Sequence, residues 1–374
     1  MSKPSRVAFL FLGETLLIPH LYPIAEALAA EAPALRIECW VATSVHEALL
    51  SGWLAEAGLA GRVALRRVPG FLELPHLQHG ENPPLPAKLP MLARLVPHLL
   101  GARAVVCAEQ TSLWIPAVLP FFRRRFVKTS HGVGSMSARD DRRRRAAHRM
   151  LVPSQREKAT YLVRGHPDEQ LVVTGYVKAG FRGLARPPKL FADDRPVVVY
   201  APHWQRKRSS WWQWGRQVVD MLAKQDRFNV ILAPHQRLVE KAPEVREVLA
   251  AVAHLPHVHT DLDSFAMVDG SYMGAADIYL GDTSSQVVEF LIRPRPCVFL
   301  NPDGVDWRAL DDHDFWACGE VVDRLDALPE ALDRALAEHP RFVAEQRAFA
   351  ADALGDASPE AAHRAARVVI AALR

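Results

Sequence analysis

Cysteine is scarce and scattered: Cys39, Cys107, Cys297 and Cys318 form no CxxC pair. That spacing argues against a zinc site and a disulfide framework, and a reducing, cytoplasmic setting is expected. Long apolar runs are missing too, none approaching the ~20 residues that span a bilayer. The run Val7–Gly13 is short, lacks a small-residue cleavage site and reads as a first buried strand rather than a signal peptide. No Asp-x-Asp motif stands out at a strand end, and no metal is expected. No internal repeat, low-complexity tract or nucleic-acid-binding signature accompanies the basic residues, so nucleic acid is not an expected partner.

What remains is ordinary globular composition, with 49% apolar and 24% charged residues over 374 positions. Such a length suggests roughly two domains. The net charge of +4 is unevenly placed. Arg123–Arg125, Arg139, Arg142–Arg145 and Arg149 crowd the first half, and Arg206-Lys207-Arg208 form a second cluster. Solvated helix faces are the plainer account of these runs; attraction to anionic partners is the functional one. Leu89–Leu100, with Lys88, Arg94 and Arg103 as its cations, has the same double character. It reads first as a core-packing helix, and alternatively as a peripheral contact with the anionic inner face of a membrane.

Short apolar runs alternate with amphipathic stretches along the chain. Strands are predicted at Val7–Leu12, Arg36–Ala42, Val63–Val68, Ala104–Cys107, Phe126–Thr129, Met150–Val152 and Leu171–Thr174. The alternation restarts at Pro196–Tyr200, Asn229–Leu232, His257–His259, Asp277–Leu280 and Cys297–Leu300. Strands separated by helices imply right-handed βαβ units and parallel sheets, an α/β fold. The expected organisation is a first domain over 1–177, a linker over 178–195 rich in Gly, Pro, Arg and Asp, and a second domain over 196–355. A last helix over 356–374 is expected to return to the first domain.

The densest stretch is 277–301. A strand to Leu280 leads into the turn Gly281–Ser285, then a helix through Ile292 that Pro294 and Pro296 stop. Thr283 and Gln286 have capping-box spacing. A hydroxyl-rich turn at the carboxyl end of a strand offers N–H groups to a phosphate, so Thr283, Ser284 and Ser285 are candidate ligands. Glu289, one turn into the helix, is a candidate acceptor for ribose hydroxyls. Three imidazoles, His131, His203 and His235, also follow strands. A histidine near neutral pKa suits removal of a proton from an attacking hydroxyl. The positive groups Arg206, Lys207 and His235 are expected to stabilise charge on a leaving nucleotide.

Taken in order, Ser-His-Gly (130–132), Val-Thr-Gly-Tyr (173–176), Tyr-Ala-Pro-His-Trp (200–204), Ala-Pro-His (233–235) and Gly-Asp-Thr-Ser-Ser-Gln-Val-Val-Glu (281–289) resemble the CDP-glycerol glycerophosphotransferases of teichoic acid synthesis. Pro-Arg-Pro-Cys-Val-Phe-Leu-Asn (294–301) extends the likeness, which covers about 126–301. The resemblance implies the GT-B fold, two Rossmann-like domains facing a cleft. It also implies His131 as the base, His235 as a second catalytic histidine, and a phosphate site at Ser284-Ser285. The implied reaction moves a glycerophosphate, polyol-phosphate or glycosyl group from a CDP- or UDP-linked donor to a polyol-phosphate, glycan or lipid-linked acceptor, with no further cofactor. The chain departs from that family at His203, Thr283 and Leu232-Ala233-Pro234. A UDP-sugar 2-epimerase of the same fold, and a nucleotide-binding protein without activity, are the alternatives.

Overall fold

The computed structural model describes residues 5–77, 80–130, 141–181, 188–284 and 286–373. Among them are two fully parallel sheets. The first holds β1 (Arg6–Phe11), β2 (Arg36–Thr43), β3 (Val63–Leu72), β4 (Ala104–Cys107), β5 (Phe126–Thr129), β6 (Arg149–Val152) and β7 (Leu171–Val173), in the order β3-β2-β1-β4-β5-β6-β7. The second holds β8 (Val197–Ala201), β9 (Asn229–Leu232), β10 (Val258–Thr260), β11 (Ile278–Gly281), β12 (Cys297–Leu300) and β13 (Glu320–Val322), in the order β10-β9-β8-β11-β12-β13. The central strands are near-continuous apolar runs because helices cover both of their faces. In each sheet the strand order reverses beside the first strand, between β1 and β4 and between β8 and β11. Ligands of open α/β sheets bind outside the carboxyl ends of the strands at such points.

The helices that matter here are α1 (Tyr22–Glu31), α2 (Ser44–Glu56), α3 (Lys88–Leu99), α4 (Gln155–Val163), α5 (Arg216–Lys224), α6 (Gln286–Phe290) and α7 (Glu360–Ala371). Met91, Leu92, Leu95 and Leu99 of α3 are buried in the core of the first sheet, so its apolar side faces inward. No helix of the described residues is long and apolar enough to cross a membrane. The basic runs are not uniformly solvated either. Arg144 is buried, with its guanidinium over the Tyr161 ring.

Two helix expectations are corrected. Sequence periodicity also predicts a single helix over Ser264–Gly274, which the structure divides in two. A 3-10 turn at Phe265–Met267 and a short helix at Ser271–Ala275 are separated by Gly270 at φ 92°. The helix after the hydroxyl-rich turn spans only Gln286–Phe290, and its capping differs from the predicted box. Ser284 Oγ accepts from the Gln286 N–H at 3.3 Å, whereas Thr283 Oγ1 meets His313 Nε2 at 3.0 Å.

The chain crosses between the sheets after β7 and returns in α7. Ala361, Ala362, Ala365, Ala366 and Val369 pack with Ile24, Ala25 and Leu28 of α1 in one core. Alanines let the two backbones approach closely, and His363 Nδ1 lies 2.8 Å from Glu31 at the rim. The crossing segment is stitched to the returning one. Tyr176 N–H donates to Asp356 O at 2.8 Å, and Arg364 Nε donates to Thr174 O at 2.8 Å. Between them Gly175 sits at φ 90°, where an added Cβ would lie 2.3 Å from Asp356 O.

Candidate active site

The carboxyl edges of the two sheets face each other. Glu14, beyond β1, pairs with Arg237, beyond β9. Gly80 N–H donates to Asp263 Oδ2 at 2.8 Å, and Asn82 Nδ2 donates to Glu240 Oε1 at 2.6 Å. A cavity of about 300 Å³ lies between these contacts. Val45, Leu49, Phe265 and Met267 give it apolar walls, and Gln236 and Ser264 supply polar groups.

On the second sheet the switch point is organised by Asp282, which the sequence reading passed over. Its buried carboxylate accepts from the His203 N–H at 3.0 Å, from the Ser210 N–H at 2.7 Å and from Ser210 Oγ at 2.9 Å. The Thr283 N–H donates back to Arg208 O at 3.3 Å. The hydroxyl-rich turn after β11 and the loop after β8 are therefore one tied unit. Burial pushes the Asp282 carboxyl up to about 7, against the lowering effect of those donors. An aspartate just after a strand and before Thr-Ser was the available signal.

His203 and His235 are brought together, with ring centroids 5.5 Å apart and Trp204 beside both. Burial pushes the His203 imidazole down to about 3, helped by His235 and Arg208, and the His235 imidazole down to about 4. Both rings are thus neutral at pH 7, which corrects the expectation of a positive group at His235. Their tautomers follow from local turns. His203 Nδ1 accepts from the Gln205 N–H at 3.1 Å, and His235 Nδ1 accepts from the Arg237 N–H at 3.1 Å. A neutral imidazole whose Nδ1 accepts carries its proton on Nε2. The pair accordingly presents two Nε2–H donors, the groups that a phosphate oxygen accepts from.

Other candidates are placed differently. Glu289 is buried, and both of its carboxylate oxygens are engaged. Lys178 Nζ lies 2.8 and 2.7 Å from them, and Tyr176 OH donates to Oε1 at 2.5 Å. Its apolar helix neighbours remove it from water, and a buried carboxylate must find partners. Ribose hydroxyls thus meet a carboxylate already occupied. Arg206 and Lys207 line a different cavity, with Trp204, Trp212 and Lys241. Thr283 and Ser284 are buried in the turn itself. His131 and Ser285 lie outside the described residues. Ser130, just before His131, donates from Oγ to Glu157 Oε1 at 2.7 Å, which anchors the carboxyl end of β5 to α4.

The first sheet contributes a polar edge that sequence reading missed. His46, at the start of α2, spans Thr43 Oγ1 at 2.8 Å and Gly13 O at 3.0 Å, and burial holds its imidazole down at about 4. Glu109, after β4, accepts from Lys88 Nζ at 3.0 Å and from the hydroxyls of Thr111 and Ser112. An Asp-x-Asp motif does end a strand: Asp261-Leu262-Asp263 follows β10. Its carboxylates are used internally, Asp261 by Ser264 and Tyr272 and Asp263 by Gly80. Among the described residues no group of three His, Cys, Asp or Glu could hold a metal ion.

No protein-family model matches the chain, and no curated protein matches its sequence. Solved structures do match along its whole length. A UDP-GlcNAc 2-epimerase from Neisseria meningitidis, bound to UDP-GlcNAc, superposes with a TM-score of 0.59 at 13% identity and covers 99% of each chain. The wall teichoic acid polymerase TagF, in a form soaked with CDPG, gives 0.64 at 13% identity, over 99% of this chain and 89% of that one. The S. aureus MnaA–UDP structure gives 0.60 at 13% identity, over 95% and 94%. At such identity the likeness establishes the fold, which is GT-B: two Rossmann-like parallel-sheet domains.

Proposed function

We propose that the chain is a GT-B transferase. It moves a glycerophosphate, polyol-phosphate or glycosyl group from a nucleotide-diphosphate donor to an acceptor hydroxyl, in the assembly of a cell-envelope or capsule polymer. The observation that carries this reading is the pair of Nε2–H donors on His203 and His235, beside the Asp282–Ser284 turn at the switch point of the second sheet. Neutral donors fixed before the ligand arrives cost little reorganisation when charge develops on a leaving phosphate. The cavity between the sheets takes the nucleoside, with Phe265 and Met267 against the base and Gln236 and Ser264 at its polar edge.

In this scheme the acceptor oxygen attacks the transferred group and its proton passes to His131. The bond to the nucleoside phosphate breaks, and the departing oxygen accepts from His203 and His235. A thermal-shift series with CDP-glycerol, CDP, UDP-GlcNAc and UDP tests the donor, since a ligand that binds only the folded state raises its melting temperature. With the cognate donor and acceptor, His131→Ala is expected to lower turnover by about 10²-fold or more and leave the nucleotide shift intact. Unchanged turnover removes His131 from the role of base.

The epimerase reading keeps a place because the Neisseria enzyme and this chain cover each other end to end. Incubation with UDP-GlcNAc alone separates the two. An epimerase converts it without an acceptor, and a transferase leaves the sugar configuration unchanged.

A further inference from the structure

Because both imidazoles of the donor pair are neutral, countercharge for a diphosphate beside them must come from nearby cations. Lys178 is held by Glu289, and Arg206 and Lys207 line a separate cavity. Arg208 follows β8 and lowers the His203 pKa. Arg237 is the cation that follows β9. Its N–H donates to His235 Nδ1 at 3.1 Å, and its guanidinium lies 5.2 Å from the centroid of the Trp204 ring. That ring is in turn 5.8 Å from His203 and 6.2 Å from His235, centroid to centroid. An arginine stays charged at any working pH, and its planar fork suits phosphate oxygens. Among the described residues, the carboxylate paired with Arg237 is Glu14, which belongs to the first sheet's side of the cleft.

The turn that carries Glu14 is fixed along its backbone. Leu12 O accepts from Lys88 Nζ, Gly13 O lies 3.0 Å from His46 Nε2, and Glu14 O accepts from the Leu17 N–H at 3.0 Å. The turn is also tightly packed, since a Cβ added at Gly13 would lie 2.4 Å from Leu17 Cδ1. Glu14 is therefore held towards Arg237 by its own scaffold. The hold itself is weak, because the Arg237 and Glu14 side chains are 36% and 30% exposed and ion pairs so exposed contribute little. A diphosphate offers the same guanidinium more negative charge and several acceptor oxygens. We propose that Arg237 binds the donor's diphosphate and that Glu14 occupies its guanidinium until the donor arrives. The two sheets thus carry an autoinhibitory ion pair that the ligand displaces. The identity of that ligand as a nucleotide donor rests on the transferase reading; the exchange of one anion for another does not.

The test titrates the full chain calorimetrically with inorganic pyrophosphate, CDP and UDP, as the parent, Glu14→Gln, Arg237→Gln and the double variant. Glu14→Gln is expected to bind pyrophosphate and the cognate nucleotide about two- to fivefold more tightly, because the internal competitor is gone. Arg237→Gln is expected to bind both about tenfold more weakly, and the double variant to match it. A gain in affinity cannot come from misfolding, so Glu14→Gln keeps the test decisive even if Arg237→Gln loses structure. Unchanged or weaker binding by Glu14→Gln overturns the inference, as does unchanged binding by Arg237→Gln. So does a gain from Glu14→Gln that persists in the absence of Arg237. Nucleotide affinity equal to the parent's in all three variants removes this inference and leaves the transferase reading intact. The expected pattern with pyrophosphate, but no binding of either nucleotide, keeps the ion-pair exchange and removes the nucleotide reading. Binding of neither pyrophosphate nor nucleotide by Glu14→Gln removes both.

Discussion

Lys178 and Glu289 form a buried ion pair, 2.7 Å from Nζ to Oε2, that joins the segment crossing between the sheets to the helix behind the hydroxyl-rich turn. Tyr176 completes the shell from the same segment. The pair ties the crossing point to the second sheet at its switch point, where a ligand would sit. An acidic residue that sequence spacing assigns to ribose is instead part of the joint.

Breaking that pair from one side leaves a buried charge without compensation. Lys178→Met is expected to cost about 3–5 kcal/mol of unfolding free energy. Lys178→Met/Glu289→Met should recover much of the loss, since no charge then remains buried. Urea denaturation of the three proteins decides it; an additive double variant would mean that the two groups do not interact.

Asp282 should make stability fall as pH rises. Its folded pKa of about 7 exceeds the unfolded value near 3.9, so between those values the folded state binds more protons than the unfolded. This contribution is fully present below about pH 4 and is lost as pH rises through about 7. Asp282→Asn removes the titration. The difference between the parent and variant curves of unfolding free energy against pH is expected to change across that window and to be flat outside it.

The two imidazoles act in the opposite sense. With folded values of about 3 and about 4 against an unfolded value near 6.5, His203 and His235 lower stability as pH falls through about 6.5. In ¹⁵N spectra both rings are expected to show an acceptor-type Nδ1 and a protonated Nε2, with no titration between about pH 8 and pH 5. A protonated Nδ1 at pH 7 on either ring would remove the proposed donor pair.

Gly175→Ala is expected to destabilise the joint between α7 and the crossing segment. The residue lies at φ 90°, and its Cβ would meet the Asp356 carbonyl at 2.3 Å. A left-handed non-glycine residue alone costs about 1–3 kcal/mol, and the clash adds to it. Thermal unfolding measures the loss; Gly58→Ala, also at positive φ but with nothing within 4 Å of the added Cβ, separates backbone strain from collision.

Local pattern carried the strands well. Val7–Leu12, Asn229–Leu232 and Cys297–Leu300 are apolar runs bounded by turn residues, and each is a central strand of a parallel sheet. Helix extent was less legible after β10, where Gly270 breaks what periodicity reads as a single helix. Imidazoles after strands were a usable signal, because β8 and β9 are neighbours and their following loops must meet. Asp282 escaped notice because its importance lies in partners on another loop.

The sequence by itself determined the alternation of strand and helix, the two-sheet α/β class and the set of polar residues placed at strand ends. Those features depend on period, turn chemistry and capping, which act over a few residues. Only the tertiary structure decided that Glu289 is locked by Lys178, that His203 and His235 are neutral donors, and that Arg206 and Lys207 line a separate cavity. Charge state and ligand access depend on burial and on partners far apart in the chain. A carboxylate or imidazole removed from water is governed by what is packed against it rather than by its neighbours in sequence.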